Sequence, residues 1–217
     1  MTVRVIAIDG PAGSGKSTVS RAVAARLGLD YLDTGAMYRA VTFAALRRGI
    51  DPADTGPVAR LARQVEITVG DRTVEVDGID ATIEIRGPEV TRSVSSVAAN
   101  PEVRRELRRR QQEWAQAHGG GVVEGRDIGS VVFPDADLKV FLTASEDERA
   151  GRRSREVLDL DYDTIAADIA RRDYVDSTRT TNPLTVAEGA VVIDTTGRTI
   201  DEVVDLVLSR LPAEEDA

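Results

Sequence analysis

Short β-branched runs and stretches of helical period take turns along this chain. Residues 3–8 read Val-Arg-Val-Ile-Ala-Ile and stop at Asp9-Gly10, which predicts a buried strand. From Ser17 onward Val19, Val23, Ala24 and Leu27 recur at helical spacing over 17–27. A second short strand is expected over 29–32, then a helix over 37–48 closed by Gly49. Asn100 and Pro101 read as N-cap and first residue of a helix running to about His118 and ending in Gly119-Gly120-Gly121. Strands follow over 122–124 and 138–142. Ser145 and Glu148 have capping-box spacing for the next helix, and another is expected over 164–174. Residues 191–194 form a fifth strand. Thr199 and Glu202 cap a last amphipathic helix through Val203, Val204, Leu206, Val207 and Leu208, and the acidic tail over 212–217 is expected to fray. Strands separated by helices predict an α/β domain, a five-stranded parallel sheet with helices on both faces.

Residues 65–85 break that rhythm. Val65, Ile67 and Val69 alternate, Gly70-Asp71 turns, Val74 and Val76 alternate, and Asp77-Gly78 turns again. The pattern predicts a small antiparallel insert.

Composition narrows the setting. The chain has 217 residues, 41% of them hydrophobic and 30% charged, which suits one compact domain. The net charge of −9 disfavours nucleic acid and anionic membranes as partners. With no cysteine, disulfides and thiolate chemistry are excluded. The first apolar stretch is too short for a signal peptide or a membrane span, so a cytoplasmic, monomeric enzyme is expected. Only Lys16 and Lys139 are lysines, and every other basic residue is an arginine, the side chain suited to bidentate phosphate contacts.

One motif carries the chemistry. Between the first strand and helix stands Gly10-Pro11-Ala12-Gly13-Ser14-Gly15-Lys16-Ser17, followed by Thr18. A loop of this spacing turns backbone amides inward around phosphates. Its lysine reaches the β- and γ-phosphates of ATP, and its serine hydroxyl is a ligand for Mg²⁺. A GTPase is disfavoured because no Asn-Lys-x-Asp occurs. A kinase, a motor and a regulatory ATPase stay open on the loop alone.

Arginines suggest a second phosphate site. Arg39 lies about one turn into the helix after the second strand, and Arg126 follows the third strand in Gly125-Arg126-Asp127. Ligands of open parallel sheets bind at the carboxyl ends of strands, so both converge on the phosphate loop. Two arginines there would repel unless a further anion joined them, and a second phosphate is the simplest one. Arg179 sits in a loop before Asn182-Pro183, unlike Arg104, Arg105, Arg108, Arg109 and Arg110, which share one helix. Met37 and Trp114 read as packing residues, His118 as a helix end, and Asp135 and Asp137 as turn residues. Phosphoryl transfer needs positioning and charge neutralisation rather than a strong base.

Three blocks together are specific. The phosphate loop, Asp33-Thr34-Gly35-Ala36-Met37-Tyr38-Arg39, and Glu124-Gly125-Arg126-Asp127-Ile128-Gly129-Ser130-Val131-Val132-Phe133-Pro134-Asp135-Ala136 resemble the bacterial cytidylate kinases. The antiparallel insert, Val94-Ser95-Ser96-Val97-Ala98, and Arg171-Arg172-Asp173 with Asp176, Arg179 and Pro183-Leu184 extend the likeness over almost the whole chain. The resemblance implies a nucleoside monophosphate (NMP) kinase fold that moves the γ-phosphoryl group of ATP to CMP or dCMP with Mg²⁺. It implies an acceptor-binding lobe over about 33–99, which holds the insert, and a helical lid over about 145–181. Arg39, Arg126 and Arg179 would hold the CMP phosphate. Ser95, Arg104 and Asp127 would read the cytosine, Arg172 and Asp176 would contact the sugar, and Thr34 and Tyr38 would line the pocket. Arg149, Arg152 and Arg153 would belong to the lid over the ATP phosphates. Lys16, Arg126, Arg179, Arg152 and Arg153 are the expected charge-neutralising catalytic set. Glu124 would hold Mg²⁺ through water. It stands where many family members carry Asp, and Thr34 where Ser is frequent. The rival readings are a kinase of another small acceptor, such as UMP or shikimate, and a non-kinase ATP-binding regulatory module.

Overall fold

The computed structural model describes residues 4–156 and 162–212. Val3, residues 157–161 of the expected lid and the tail from 213 lie outside the described residues. Strand β1 (Arg4–Asp9) stands in the middle of a five-stranded sheet ordered β2-β6-β1-β7-β8. Its partners are β2 (Tyr31–Asp33), β6 (Gly120–Gly125), β7 (Leu138–Thr143) and β8 (Val191–Asp194), and every pairing is parallel. All strands therefore end on one edge, where the loops after β1, β2 and β6 meet.

Alternation within β1 assigns the two faces. Ile6 and Ile8 pack with Val19 and Val23 of helix α1 (Lys16–Leu27) and Val203, Val204 and Val207 of helix α8 (Ile200–Leu208). Val5 and Ala7 pack on the opposite face with Met37, Ala40 and Val41 of helix α2 (Thr34–Arg47), and with Val103 and Leu107 of helix α5 (Pro101–Ala117). Burying a side chain the size of Ile6 contributes about 1.5–3 kcal/mol, so the alternation fixes the register of the sheet between its two helical layers.

The insert is the antiparallel sheet β3 (Ile67–Val69), β4 (Val74–Val76) and β5 (Ile79–Asp80). Asp77 and Gly78 both take positive φ, 52° and 73°, as a tight turn between β4 and β5 requires. Val74 and Val76 anchor the insert in the α2 core. The strand pattern stops at Asp80, and residues Glu84–Arg86 form a 3₁₀ turn instead.

Several bounds differ from the sequence reading. Helices α3 (Thr55–Gln64) and α4 (Pro88–Ala99) were not anticipated. Gly56-Pro57 at the start of α3 resembles a loop, yet proline is tolerated in a first turn because its missing N–H has no helical acceptor there. In α4 the valines recur at helical spacing and bury Val90, Val94 and Val97. Gly120 and Gly121 belong to β6 rather than to the helix end. A Cβ at Gly120 would stand 2.0 Å from the Arg4 carbonyl oxygen, so only glycine lets β6 start this close to β1. Helix α7 (Tyr162–Thr178) is longer than expected. At helix α6 (Glu146–Glu156) the capping box is half formed. The Glu148 amide donates to Ser145 Oγ at 3.3 Å, while the Ser145 amide turns to Thr196 Oγ1 at 2.9 Å and Glu148 Oε1 accepts from Arg152. The Thr199–Glu202 box is complete. Asp137 is more than a turn residue: its amide donates to the Val5 carbonyl and its carboxylate accepts from the Val5 amide at 2.7 Å.

Candidate active site

The loop from Gly10 to Gly15 joins the end of β1 to α1, so the helix N-terminus points its free amides into the loop. Gly10, at φ 150°, passes so close to β7 that a Cβ would stand 2.1 Å from the Leu142 carbonyl oxygen. Lys16 folds back with Nζ donating to the Pro11 carbonyl at 2.7 Å. Burial and then Arg126 pull its pKa below the ordinary lysine range.

A cleft of about 1180 Å³ opens over this loop. Residues Ala12, Gly13, Ser14, Gly15, Lys16, Ser17 and Thr18 line it. Gly10 and Pro11, at the start of the loop, do not; their carbonyls accept from Arg126 Nη1 and Lys16 Nζ.

Ser17 and Glu124 meet at the cleft floor. Ser17 Oγ donates to Glu124 Oε1 at 2.7 Å and the Tyr31 hydroxyl donates to the same oxygen at 2.8 Å. Glu124 Oε2 is buried with no hydrogen-bond partner. Burial, then Asp33, pushes the Glu124 carboxyl up from its ordinary range. An orphaned buried carboxylate oxygen beside a hydroxyl suits a hard divalent cation, whose charge would reverse that shift. Among the described residues no group of three or more His, Cys, Asp and Glu could hold a metal ion.

The opposite wall carries the arginines. Arg126 Nε donates to Asp176 Oδ2 at 2.8 Å and Nη1 to the Gly10 carbonyl at 2.8 Å. Arg39 Nη1 donates to the Ile85 carbonyl and to Thr91 Oγ1, both at 2.9 Å. Arg179 Nε donates to the Asn182 carbonyl at 2.7 Å, its Nη1 lies 3.5 Å from Asp176, and its buried Nη2 has no hydrogen-bond partner. Burial and then neighbouring arginines lower Arg39 to about 9 and Arg172 to about 10; Arg172 presses on Arg39, and Arg126 on Arg172. Crowded guanidiniums with an orphaned donor describe a site built for an anion.

Beside them, Arg104 Nη2 donates to Asp127 Oδ2 at 2.5 Å, and both side chains are under a tenth exposed. The Arg104 guanidinium also stands 5.5 Å from the centre of the Tyr38 ring. Ser95, on α4, and Thr34, Tyr38, Arg172 and Asp176 line the same cleft. The Thr34 hydroxyl is already engaged, donating to the Glu124 carbonyl at 2.7 Å.

The arginines of α6 divide. Arg152 and Arg153 line the cleft. Arg152 is held by Thr195, with Nη1 donating to Oγ1 and Nη2 to the carbonyl, both at 2.8 Å. Arg149, on the same helix, takes a different position. It is buried beneath the loop, donates to the Ala12 carbonyl at 3.2 Å and pairs with Asp173, whose other oxygen accepts from the Ala12 amide at 3.2 Å. Helices α6 and α7 thus grip both backbone groups of Ala12. The first turn of α6 lies against the loop, since a Cβ at Gly13 would meet the Arg149 backbone at 2.9 Å.

Sequence reasoning gave no role to Tyr31, Asp33, Asp173 or Thr195, although Asp33 and Asp173 stand in the quoted blocks. Asp33 caps α2 by accepting from the Ala36 amide at 2.9 Å and lines the cleft. Its place between a strand end and Thr34-Gly35 was a usable capping signal. The contacts of Tyr31, Asp173 and Thr195 join distant parts of the chain and left no local pattern.

The family profile described as cytidylate kinase matches residues 6–213. A cytidylate kinase of Desulfitobacterium hafniense (strain Y51) is 50% identical over 94% of this chain and 90% of its own length. One from Mycolicibacterium paratuberculosis (strain ATCC BAA-968 / K-10) is 51% identical over 93% of this chain and 92% of its own. The crystal structure of TT1252 from Thermus thermophilus has a similar fold, with a TM-score of 0.52 and 19% identity over 98% of this chain and 100% of that one. With identity of this order along almost its whole length, the chain belongs to the cytidylate kinase family.

Proposed function

We propose that this protein transfers the γ-phosphoryl group of ATP to CMP or dCMP, giving ADP and CDP or dCDP. An oxygen of the acceptor phosphate attacks the γ-phosphorus as the bond to the β-phosphate oxygen breaks. The phosphate loop and Lys16 hold the donor. Arg39, Arg126 and Arg179 hold the acceptor phosphate, and Arg152 and Arg153 add positive charge from the lid as the transferring group passes between them. Arg172 and Asp176 contact the sugar. Ser17 and Glu124 would hold Mg²⁺, which when bound neutralises phosphate charge and orients the donor.

The Arg104–Asp127 pair, in the same cleft as the phosphate loop, carries this reading. It sets a donor beside an acceptor. Cytosine offers the N3 acceptor beside the N4 donor and matches; uracil reverses both. A mismatched base would leave buried polar groups unpaired, which is how such a pocket discriminates. Ser95 and Tyr38 complete that pocket, while segments 33–99 and 145–181 act as acceptor lobe and lid. The net charge of −9 disfavours nucleic acid as a partner; ATP and CMP are the partners of this reading, and the protein acts as a monomer of the cytoplasm. Among the described residues no helix is long and apolar enough to cross a membrane.

ADP release followed with and without acceptor separates a kinase from a regulatory ATPase. ADP release is expected to depend on CMP or dCMP and to match CDP or dCDP formed. Slow hydrolysis unchanged by CMP would overturn the proposal.

A further inference from the structure

We infer that Asp9 is a positioning residue for acceptor recognition, fixing the loop that carries Arg126 and Asp127 against the start of the phosphate loop. The inference rests on the acceptor roles proposed for those two residues. Asp9 ends β1 and is 4% exposed. Its carboxylate uses one oxygen per amide: Oδ1 accepts from Ile128 at 2.9 Å and Oδ2 from Gly129 at 2.8 Å. These amides follow Asp127 directly and open the short π-helical turn Ile128–Val132.

The loop is held from both sides of Asp127. Upstream, Arg126 Nη1 donates to the carbonyl of Gly10, the residue after Asp9. Downstream, Asp9 takes the next two amides. Two neighbouring residues at the mouth of the donor loop therefore engage the segment on either side of the proposed cytosine reader, Gly10 through the Arg126 side chain and Asp9 through two backbone amides. The Asp127 carboxylate, aimed by this backbone, meets Arg104.

The choice of a carboxylate is costly, which points to function. Burial pushes the Asp9 pKa up to about 6, the Ile128 and Gly129 amides oppose the shift, Asp127 adds to it and Lys16 opposes it. The two partners are neutral amides. A fold needing only a turn closed here could use a smaller, uncharged acceptor. Only a carboxylate accepts at both oxygens at once, locking two successive amides and leaving the loop little freedom to tilt.

Steady-state kinetics of wild type, Asp9→Asn and Asp9→Ser with ATP, CMP and UMP test this. Asn keeps the shape but offers one acceptor oxygen, and Ser shortens the reach. KM for CMP is expected to rise about 10- to 100-fold, as for a misplaced binding group, with KM for ATP near wild type and a reduced preference for CMP over UMP. An equal rise in both KM values, an unchanged preference, or failure of both variants to fold would overturn the inference and make the carboxylate a general structural tie. A wild type without preference for CMP would instead remove the acceptor reading and this inference with it, so the wild type alone separates the two failures.

Discussion

Lys16→Ala is expected to lower kcat by about 10²- to 10³-fold, the usual cost of deleting one preorganised donor to transition-state charge. The fold should survive. Lys16 is buried, and its pKa is drawn down by that burial and by Arg126. A base whose folded pKa lies below its unfolded value is penalised for being charged. The penalty is full at pH values under the lowered pKa and fades as pH rises toward the ordinary lysine value. Removing the amine removes both that penalty and the hydrogen bond to the Pro11 carbonyl, so thermal denaturation should give a Tm near wild type. KM for CMP should hardly move. Turnover near wild type would strip Lys16 of its role, and a collapse of Tm would make the lysine structural.

Arg179→Ala should reduce kcat/KM for CMP by about 100-fold, chiefly through KM for CMP, while Arg109→Ala stays near wild type. The two arginines differ in what surrounds them. Arg179 is buried between Asp127 and Asp176, with Nη2 lacking a hydrogen-bond partner, so its truncation withdraws a donor and leaves two carboxylates less balanced. Arg109 is exposed on α5, where it pairs with Glu106 and Glu113, and exposed pairs of this sort contribute little. Equal losses in the two variants would erase the distinction between site and surface arginines.

Much of this was written locally in the chain. A β-branched run, a glycine loop and a helical period lie in sequence, and so the strand, loop and helix of the phosphate site could be read directly. The rule that ligands gather at strand ends brought Arg39 and Arg126 into the same cleft. What escaped depends on depth and on distant partners. Arg149, Arg152 and Arg153 look alike along α6, yet Arg149 lies in the first turn, against the phosphate loop, and is consumed by Ala12 and Asp173. Asp9 looks like the last polar residue of a strand; its partners are about 120 positions away. Helices α3 and α4 were hidden by a Gly-Pro pair and by valines whose own preference is for strands, overruled by burial against α2 and α5.

Acceptor identity is the centre of the account, and kcat/KM at saturating ATP across CMP, dCMP, UMP, AMP and shikimate reads it most directly. The donor–acceptor order of Arg104 and Asp127 predicts that CMP and dCMP lead, with UMP well behind and AMP and shikimate near background. Preferred turnover of UMP, AMP or shikimate would contradict it.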